Sequence, residues 1–305
     1  MNIDFLMIVK KIKNKNINKV YGDLVVRYSG DDVTILMSVY KGTTINQLIE
    51  SVKSIGVNQT VRPKEIIVVI DGSVPKEVYD YLFDNNHLVP LKILEKEKNQ
   101  GLALALRDGM KLVTTKLIAR MDTDDISVND RIATQLNAFN VDPNLALYGG
   151  NVIEFVEDPA NPIQARKMPE MDADIRKFAK YRSPFNHPTV MFKKKIIDES
   201  GGYLPLGTLE DYFLWIRVLN HKHIVVGNSN HNLVFMRSGK DMYRRRGGGL
   251  TAIKNFWKLR LTMLRMKQIS KIQFLIGFFV NVASVLLPSD IRAYIYTKFL
   301  RNPID

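Results

Sequence analysis

Asp122 and Asp124 stand two residues apart in the run Asp122-Thr123-Asp124-Asp125, directly after the mostly apolar stretch Lys116 to Met121. Carboxylates so spaced suit a hard divalent cation, Mg2+ or Mn2+, bridging a diphosphate. The cation would neutralise charge on a departing nucleoside diphosphate, which is Lewis-acid help to a leaving group. Asp71, in the tight turn Asp71-Gly72-Ser73, could accept a hydrogen bond from a base N–H or a ribose hydroxyl. Asn99-Gln100-Gly101 puts a glycine where a strand gives way to a helix, so backbone N–H groups there could face an anion. Glu210-Asp211 heads a helical stretch, and Asp211 could take a proton from an incoming hydroxyl. Arg244, Arg245 and Arg246 precede three glycines, a composition suited to a clamp over phosphates. Each feature alone is also compatible with a turn, a helix cap or a solvated basic loop, and His187 before Pro188 reads as structural.

The elements that must position these residues follow from hydrophobic periodicity. Val33 to Tyr40 and Glu65 to Ile70 are near-continuous apolar runs, as expected of strands covered on both faces. Leu91 to Leu94 and Lys116 to Met121 read as two further strands. Helical spacing occupies Thr44 to Val57, Pro75 to Phe83 and Gly101 to Val113 between them. A fourth helix carries Ile132, Leu136 and Phe139, with Ser127 or Asn129 as its expected cap. This alternation predicts an open α/β fold, a doubly wound and mostly parallel sheet. Ligands gather at the carboxyl ends of such strands. Ser38 and Tyr40 close the first strand, Asp71 the second, and Asp122 and Asp124 the fourth. From residue 145 the pattern loosens: Leu145 to Val156 reads as a strand with a Gly-Gly bend, Thr189 to Phe192 as a short strand, Tyr212 to Leu219 as a helix, and Ile224 to Met236 as one or two strands.

The 305 residues carry 44 Lys+Arg against 31 Asp+Glu, a formal charge of +13. Residues 1–32 hold six basic and four acidic side chains, residues 33–236 hold 24 of each, and residues 237–305 hold 14 basic and three acidic. A neutral body with a basic tail suggests an anionic partner for the tail. Ile253, Trp257, Leu261 and Leu264 form an apolar stripe flanked by Lys254, Lys258 and Arg265, the pattern of a helix lying on an anionic membrane. Ile272 to Ser289 is 18 residues without a charge, marginal for spanning. It reads either as a shallowly inserted helix or as one packed on the main domain. No aromatic-basic RNA signature or helix-turn-helix pattern argues for nucleic acid. The absence of Cys excludes a disulfide framework, thiolate zinc and a Cys nucleophile. No GxxxxGK followed by Ser or Thr occurs, which excludes P-loop chemistry. The five-residue apolar run near the start is too short for a secretory signal, so a cytosolic chain is expected.

Taken together, SVYKG at 38–42, VVIDGS at 68–73, NQGLALAL at 99–106, ARMDTDD at 119–125, NHPTVMF at 186–192 and EDYFLW at 210–215 resemble family 2 of the inverting glycosyltransferases. The set covers roughly residues 33–240 in the family's order. It is most similar to bacterial enzymes that build capsular, exopolysaccharide or O-antigen repeat units. The resemblance implies an A-type, Rossmann-like glycosyltransferase fold with a C-terminal helical appendage. It places Ser38 and Tyr40 in the nucleotide pocket, with Asp71 on the uracil or its ribose. Asn99, Gly101 and Arg120 join as candidate substrate-binding residues. Asp122 would meet ribose and metal, Asp124 would be the main ligand of Mn2+ or Mg2+, and Asp211 the catalytic base supported by Glu210. Arg244 and Arg245 are candidate phosphate contacts on composition alone, not on a motif match. The QxxRW motif of processive synthases is absent, as is a multi-span membrane segment.

The expected organisation is an N-terminal extension at 1–32, a nucleotide-sugar-binding catalytic domain at 33–240, and a basic, amphipathic, membrane-associating helical region at 241–305. The expected function is non-processive transfer of one sugar from a UDP-sugar to a polyprenyl-diphosphate-linked acceptor at the cytoplasmic face of the membrane, without nucleic acid as a partner. Two rivals are a sugar-nucleotide pyrophosphorylase, which would need an early Gly-rich basic loop absent from Val33 to Thr44, and a non-enzymatic basic scaffold.

Overall fold

The structure is a computed structural model that describes residues 27–84, 86–238 and 249–287. Strand β1 (Val33–Val39) lies at the centre of a parallel group, between β2 (Glu65–Asp71) and β4 (Leu117–Arg120), with β3 (Leu91–Lys96) outside β2. Helices α1 (Ile45–Ile55), α2 (Lys76–Leu82) and α3 (Leu102–Met110) connect these strands. The sheet continues as β8 (Met191–Lys193), β6 (Leu145–Phe155), β9 (Val225–Arg237) and β5 (Ile126–Ser127), with β7 (Gln164–Arg166) pairing β6. Both neighbours of β8 run antiparallel to it, whereas β6 and β9 are parallel. The nine strands therefore form a mixed sheet whose first half is wholly parallel.

Side-chain alternation explains why the strands read as continuous apolar runs. Val33, Ile35, Met37 and Val39 face one side, with α1, α2 and α4 (Arg131–Val141) packed on them through Leu48, Val52, Val78, Leu136 and Phe139. Leu36, Ile67 and Ile118 face the other side, covered by α3, α5 (Asp172–Phe178), α6 (Lys194–Glu199) and α7 (Glu210–Val218). Both sheet faces are buried, so period-two polarity is lost from the sequence.

Three local expectations change. Ser127 belongs to β5 instead of capping a helix, and the residue before α4 is Asp130, which makes no side-chain cap bond. The residues His187–Thr189 form a single 3-10 turn, so the short strand begins at Met191. Residues Val225–Arg237 form one 13-residue strand. Its pairing with β6 shifts register at Gly149/Asn151, and the predicted Gly-Gly bend is this bulge.

Helices α8 (Leu250–Arg265) and α9 (Lys271–Leu286) follow, α9 opened by a capping box of Ser270 and Gln273. Leu259, Met263, Ile269 and Phe274 join Tyr212, Phe213 and Ile216 of α7 in a third apolar cluster. Helix α7 therefore has two buried faces, one toward the sheet and one toward this hairpin. The expected apolar stripe of α8 lies largely in the seam: Leu261 and Leu264 pack on the third cluster, and Trp257 meets Phe274 and Phe278 edge-on at 5.0 and 5.2 Å. Among the described residues no helix is long and apolar enough to cross a membrane.

Candidate active site

Parallel strands β2, β1 and β4 end at one edge of the sheet, and the predicted residues collect there. Neighbouring strands are about 4.8 Å apart, which sets the ends of β2 and β4 on the order of 10 Å from one another. Asp122, Asp124 and Asp125 follow β4, and each offers a carboxylate oxygen within 4.8 Å of the others. Three hard oxygen donors at that separation fit a divalent cation such as Mg2+ or Mn2+. The mutual repulsion is visible in Asp125, whose pKa is pushed well up by burial and by the charges of Asp122 and Asp124, against the pull of the Arg237 N–H and Arg120. A cation bound there would offset that repulsion.

The loop that carries these carboxylates is fastened from three directions. Ser51 on α1 donates its Oγ–H to the Asp122 carbonyl at 2.7 Å. The Arg237 backbone N–H donates to Asp125 Oδ1 at 2.8 Å, and its Nε donates to the Asp124 carbonyl at 3.1 Å. The same guanidinium reaches Glu50 Oε2 at 3.1 Å and the Val156 and Glu157 carbonyls. Below the loop, Arg120 donates from Nη2 to Asp122 Oδ1, while Arg131 holds the Arg120 carbonyl at 2.8 Å.

On the β2 side, a cleft of about 250 Å³ is lined by Lys41, Asp71, Gly72, Ser73, Glu97, Lys98 and Asn99. Asp71 is only 2% exposed. Its carboxylate accepts the Gln100 N–H at 2.9 Å and the Gly101 N–H at 2.8 Å, and Lys96 stands 3.6 Å away. The anion held by these two N–H groups is thus the chain's own Asp71. Asn99 Nδ2 donates to the Asp71 carbonyl at 3.0 Å. Gly72 sits at φ +82 with the Asn99 nitrogen 2.6 Å from where a Cβ would lie, so no other residue fits this turn. Ser38 lies half-buried in register with Val69, and Tyr40 follows it, 40% exposed.

The third wall is the N-terminus of α7. Asp211 Oδ1 accepts the Tyr212 N–H at 2.6 Å, and Ser183 Oγ lies 3.5 Å from Oδ2. Burial first, then Asp211, pushes the Glu210 pKa up to about 7, while Arg120 works against the shift. Buried Tyr203 marks where the walls meet. Its hydroxyl lies within electrostatic reach of Arg120, Asp211, Glu210 and Asp122 together. His187 Nε2 is 2.9 Å from that hydroxyl, and burial with Arg120 lowers its pKa well below the usual range. His187 is therefore a neutral structural partner, as its sequence setting implies.

The structure thus brings Asp122, Asp124, Arg120, Glu210 and Asp211 together, with Ser38, Tyr40, Asp71, Asn99 and Gly101 along the same edge. Arg244 and Arg245 lie outside the described residues. Sequence reasoning missed Asp125 as a third oxygen donor, although it stands in the quoted run. It also missed Arg237, Ser183 and Tyr203, which lie far along the chain from their partners and carry no local signal.

Residues 34–201 match the model for glycosyl transferase family 2. The chain is 34% identical over 234 residues to the amylovoran biosynthesis glycosyltransferase AmsE of Erwinia amylovora, covering 77% of this chain and 86% of that one. It is also 34% identical over 240 residues to the UDP-Gal:alpha-D-GlcNAc-diphosphoundecaprenol beta-1,3-galactosyltransferase of Escherichia coli, covering 79% and 86%. Among solved structures, S. aureus TarS 1-349 superposes with a TM-score of 0.58 at 14% identity over 88% of this chain and 75% of that one. The mannosyltransferase PcManGT from Pyrobaculum calidifontis, in complex with GDP-Man and Mn2+, gives 0.57 at 15% identity over 96% and 88%. At such identities the two structures speak for the fold, an A-type glycosyltransferase sheet. The aspartate loop, the acidic helix start and the sequence matches lead to one conclusion: this chain is a glycosyltransferase and belongs to glycosyl transferase family 2.

Proposed function

We propose that the chain moves one hexose from a UDP-sugar to a saccharide carried on a polyprenyl diphosphate, non-processively and with inversion, at the cytoplasmic face of the cell membrane. The observation that carries this reading is the meeting of the Asp122–Asp125 loop with Glu210 and Asp211 around Arg120 and Tyr203. Support for the substrates comes from the relatives, one a UDP-Gal:alpha-D-GlcNAc-diphosphoundecaprenol galactosyltransferase and one an amylovoran biosynthesis glycosyltransferase. Family membership removes the pyrophosphorylase and the scaffold. We assign residues 33–240 to catalysis and 241–305 to membrane association, with 1–32 as an extension.

In this reading the Asp71 cleft takes the uracil and ribose. A carboxylate has about four lone-pair sites, so Asp71 retains acceptor capacity after holding Gln100 and Gly101. Ser38, Tyr40 and Asn99 line the way to the diphosphate. Asp124 and Asp122, with Asp125, would hold Mn2+ or Mg2+, which when bound neutralises the leaving diphosphate. Arg120 is 2% exposed and acts on the donor through Asp122. Asp211 takes the acceptor hydroxyl proton as the oxygen bonds to the anomeric carbon. The bond from that carbon to the diphosphate oxygen breaks, UDP departs with its electron pair, and an α-linked donor gives a β-linked product. Ser183 and the Tyr212 N–H hold the Asp211 carboxylate in place.

The test combines binding and turnover. UDP with Mn2+ at 100 times Kd should stabilise the protein by about 2.7 kcal/mol. Asp211→Asn should keep that shift and lose turnover across a panel of UDP-sugars. Survival of turnover in Asp211→Asn refutes the base assignment, and no shift with any nucleotide refutes the donor site.

A further inference from the structure

Helix α9 is apolar on both faces, and among the described residues only one of them is covered. Phe274, Gly277 and Val285 are buried against α8 and the third cluster. On the opposite face Ile272, Leu275, Ile276, Phe279 and Val280 recur at helical spacing, exposed by 51 to 69%. A helix that is apolar all round is ordinarily enclosed, and a contiguous exposed apolar face marks a contact surface.

Charge and length identify the occupant. Residues 249–287 hold six basic side chains, Lys254, Lys258, Arg260, Arg265, Lys267 and Lys271, and no acidic one. All except Arg260 are exposed. A second copy of this chain on the same face would bring two such clusters together, whereas an anionic lipid surface attracts both. Sixteen helical residues extend about 24 Å, short of the roughly 30 Å hydrocarbon layer.

We propose that the outer face of α9, and not the α8 stripe, seats this protein on an anionic bilayer, with Ile272, Ile276 and Phe279 entering the headgroup–acyl boundary and Lys271, one helical turn before Leu275, on phosphates. This surface rests on the lipid-linked acceptor reading and adds to it a fixed orientation. Arg260 ties the seat to the catalytic base. Its Nη1 donates to the Lys180 carbonyl and its Nη2 to the Tyr181 carbonyl at 3.4 Å, two residues before Ser183, the neighbour of Asp211. Gly277 lets α9 approach this guanidinium, since a Cβ there would fall 2.5 Å from Arg260 Cζ. The lipid seat and Asp211 therefore belong to one packed block.

The experiment is flotation of the full chain with phosphatidylcholine vesicles, with and without phosphatidylglycerol, using neither sugar donor nor acceptor. The wild type should float with the anionic vesicles and be released by salt. Ile276→Asp with Phe279→Asp should reduce binding by about tenfold or more. Its melting temperature and UDP–Mn2+ shift should stay unchanged, since both side chains face outward. In the wild type, brominated lipid should quench Trp257 at the hairpin seam, the other tryptophan, Trp215, being fully buried. A wild type that ignores anionic vesicles, a variant that binds as well as the wild type, or a dimer dissolved by the substitutions would each overturn the proposal. Because vesicle binding needs no turnover, its failure leaves the transfer reaction standing, and the reverse holds.

Discussion

Glu210 carries a carboxyl oxygen, Oε2, that is buried without a hydrogen-bond partner among the described residues. With its pKa pushed up to about 7, it is largely neutral in mild acid and charged above neutrality. Once ionised it adds negative charge beside Asp211 and would strengthen it as the proposed base. Activity should therefore rise with pH through about 7, and Glu210→Gln should remove that limb from the kcat/KM profile. Stability moves the other way. The unfolded carboxyl titrates near 4.5 and the folded one near 7, so the folded state binds more protons between them. The contribution of this group falls as pH rises through that window, and Glu210→Gln should flatten the slope in denaturant titrations. The acidic pairs were legible because they are consecutive letters after a strand or at a helix start. Arg237, 112 residues from Asp125, was not legible, because its role exists only once β5 and β9 are paired.

Secondary elements were readable wherever burial imposed a period. The parallel strands announced themselves as unbroken apolar runs, and α1 by apolar residues every three or four positions. Which side of an amphipathic helix meets a partner was less readable. The α8 stripe was expected on an anionic membrane, and the uncharged α9 stretch either shallowly inserted or packed on the main domain; each turned out to pack in part on the other. Gly277 is the residue that permits this contact. Gly277→Ala should push against Arg260 and cost about 1–3 kcal/mol, the usual range for overpacking. Urea unfolding followed by Trp fluorescence measures it.

Across the whole molecule, the balanced body and basic tail were visible from charge counts alone, but the dependence of one on the other was not. Leu259, Met263, Ile269 and Phe274 each contribute roughly 1.5–3 kcal/mol by burial against α7. Their sum is of the same order as the net stability of a domain, about 5–15 kcal/mol. A chain shortened to residues 1–248 should therefore lose cooperative thermal unfolding and UDP–Mn2+ binding together. Persistence of either would mean that α7 stands without the hairpin.

The double burial of α7 also has a consequence for biosynthesis. The strands of the proposed nucleotide cleft leave the ribosome first, while the hairpin that completes the third cluster is made later. At about 5–20 residues per second, the nascent chain spends several seconds with Phe213 and Ile216 uncovered. During that interval neither the proposed donor cleft nor the carboxylates at the start of α7 have their final support. The hairpin must emerge before the enzyme can turn over, and the uncovered patch on α7 is where a chaperone would find it.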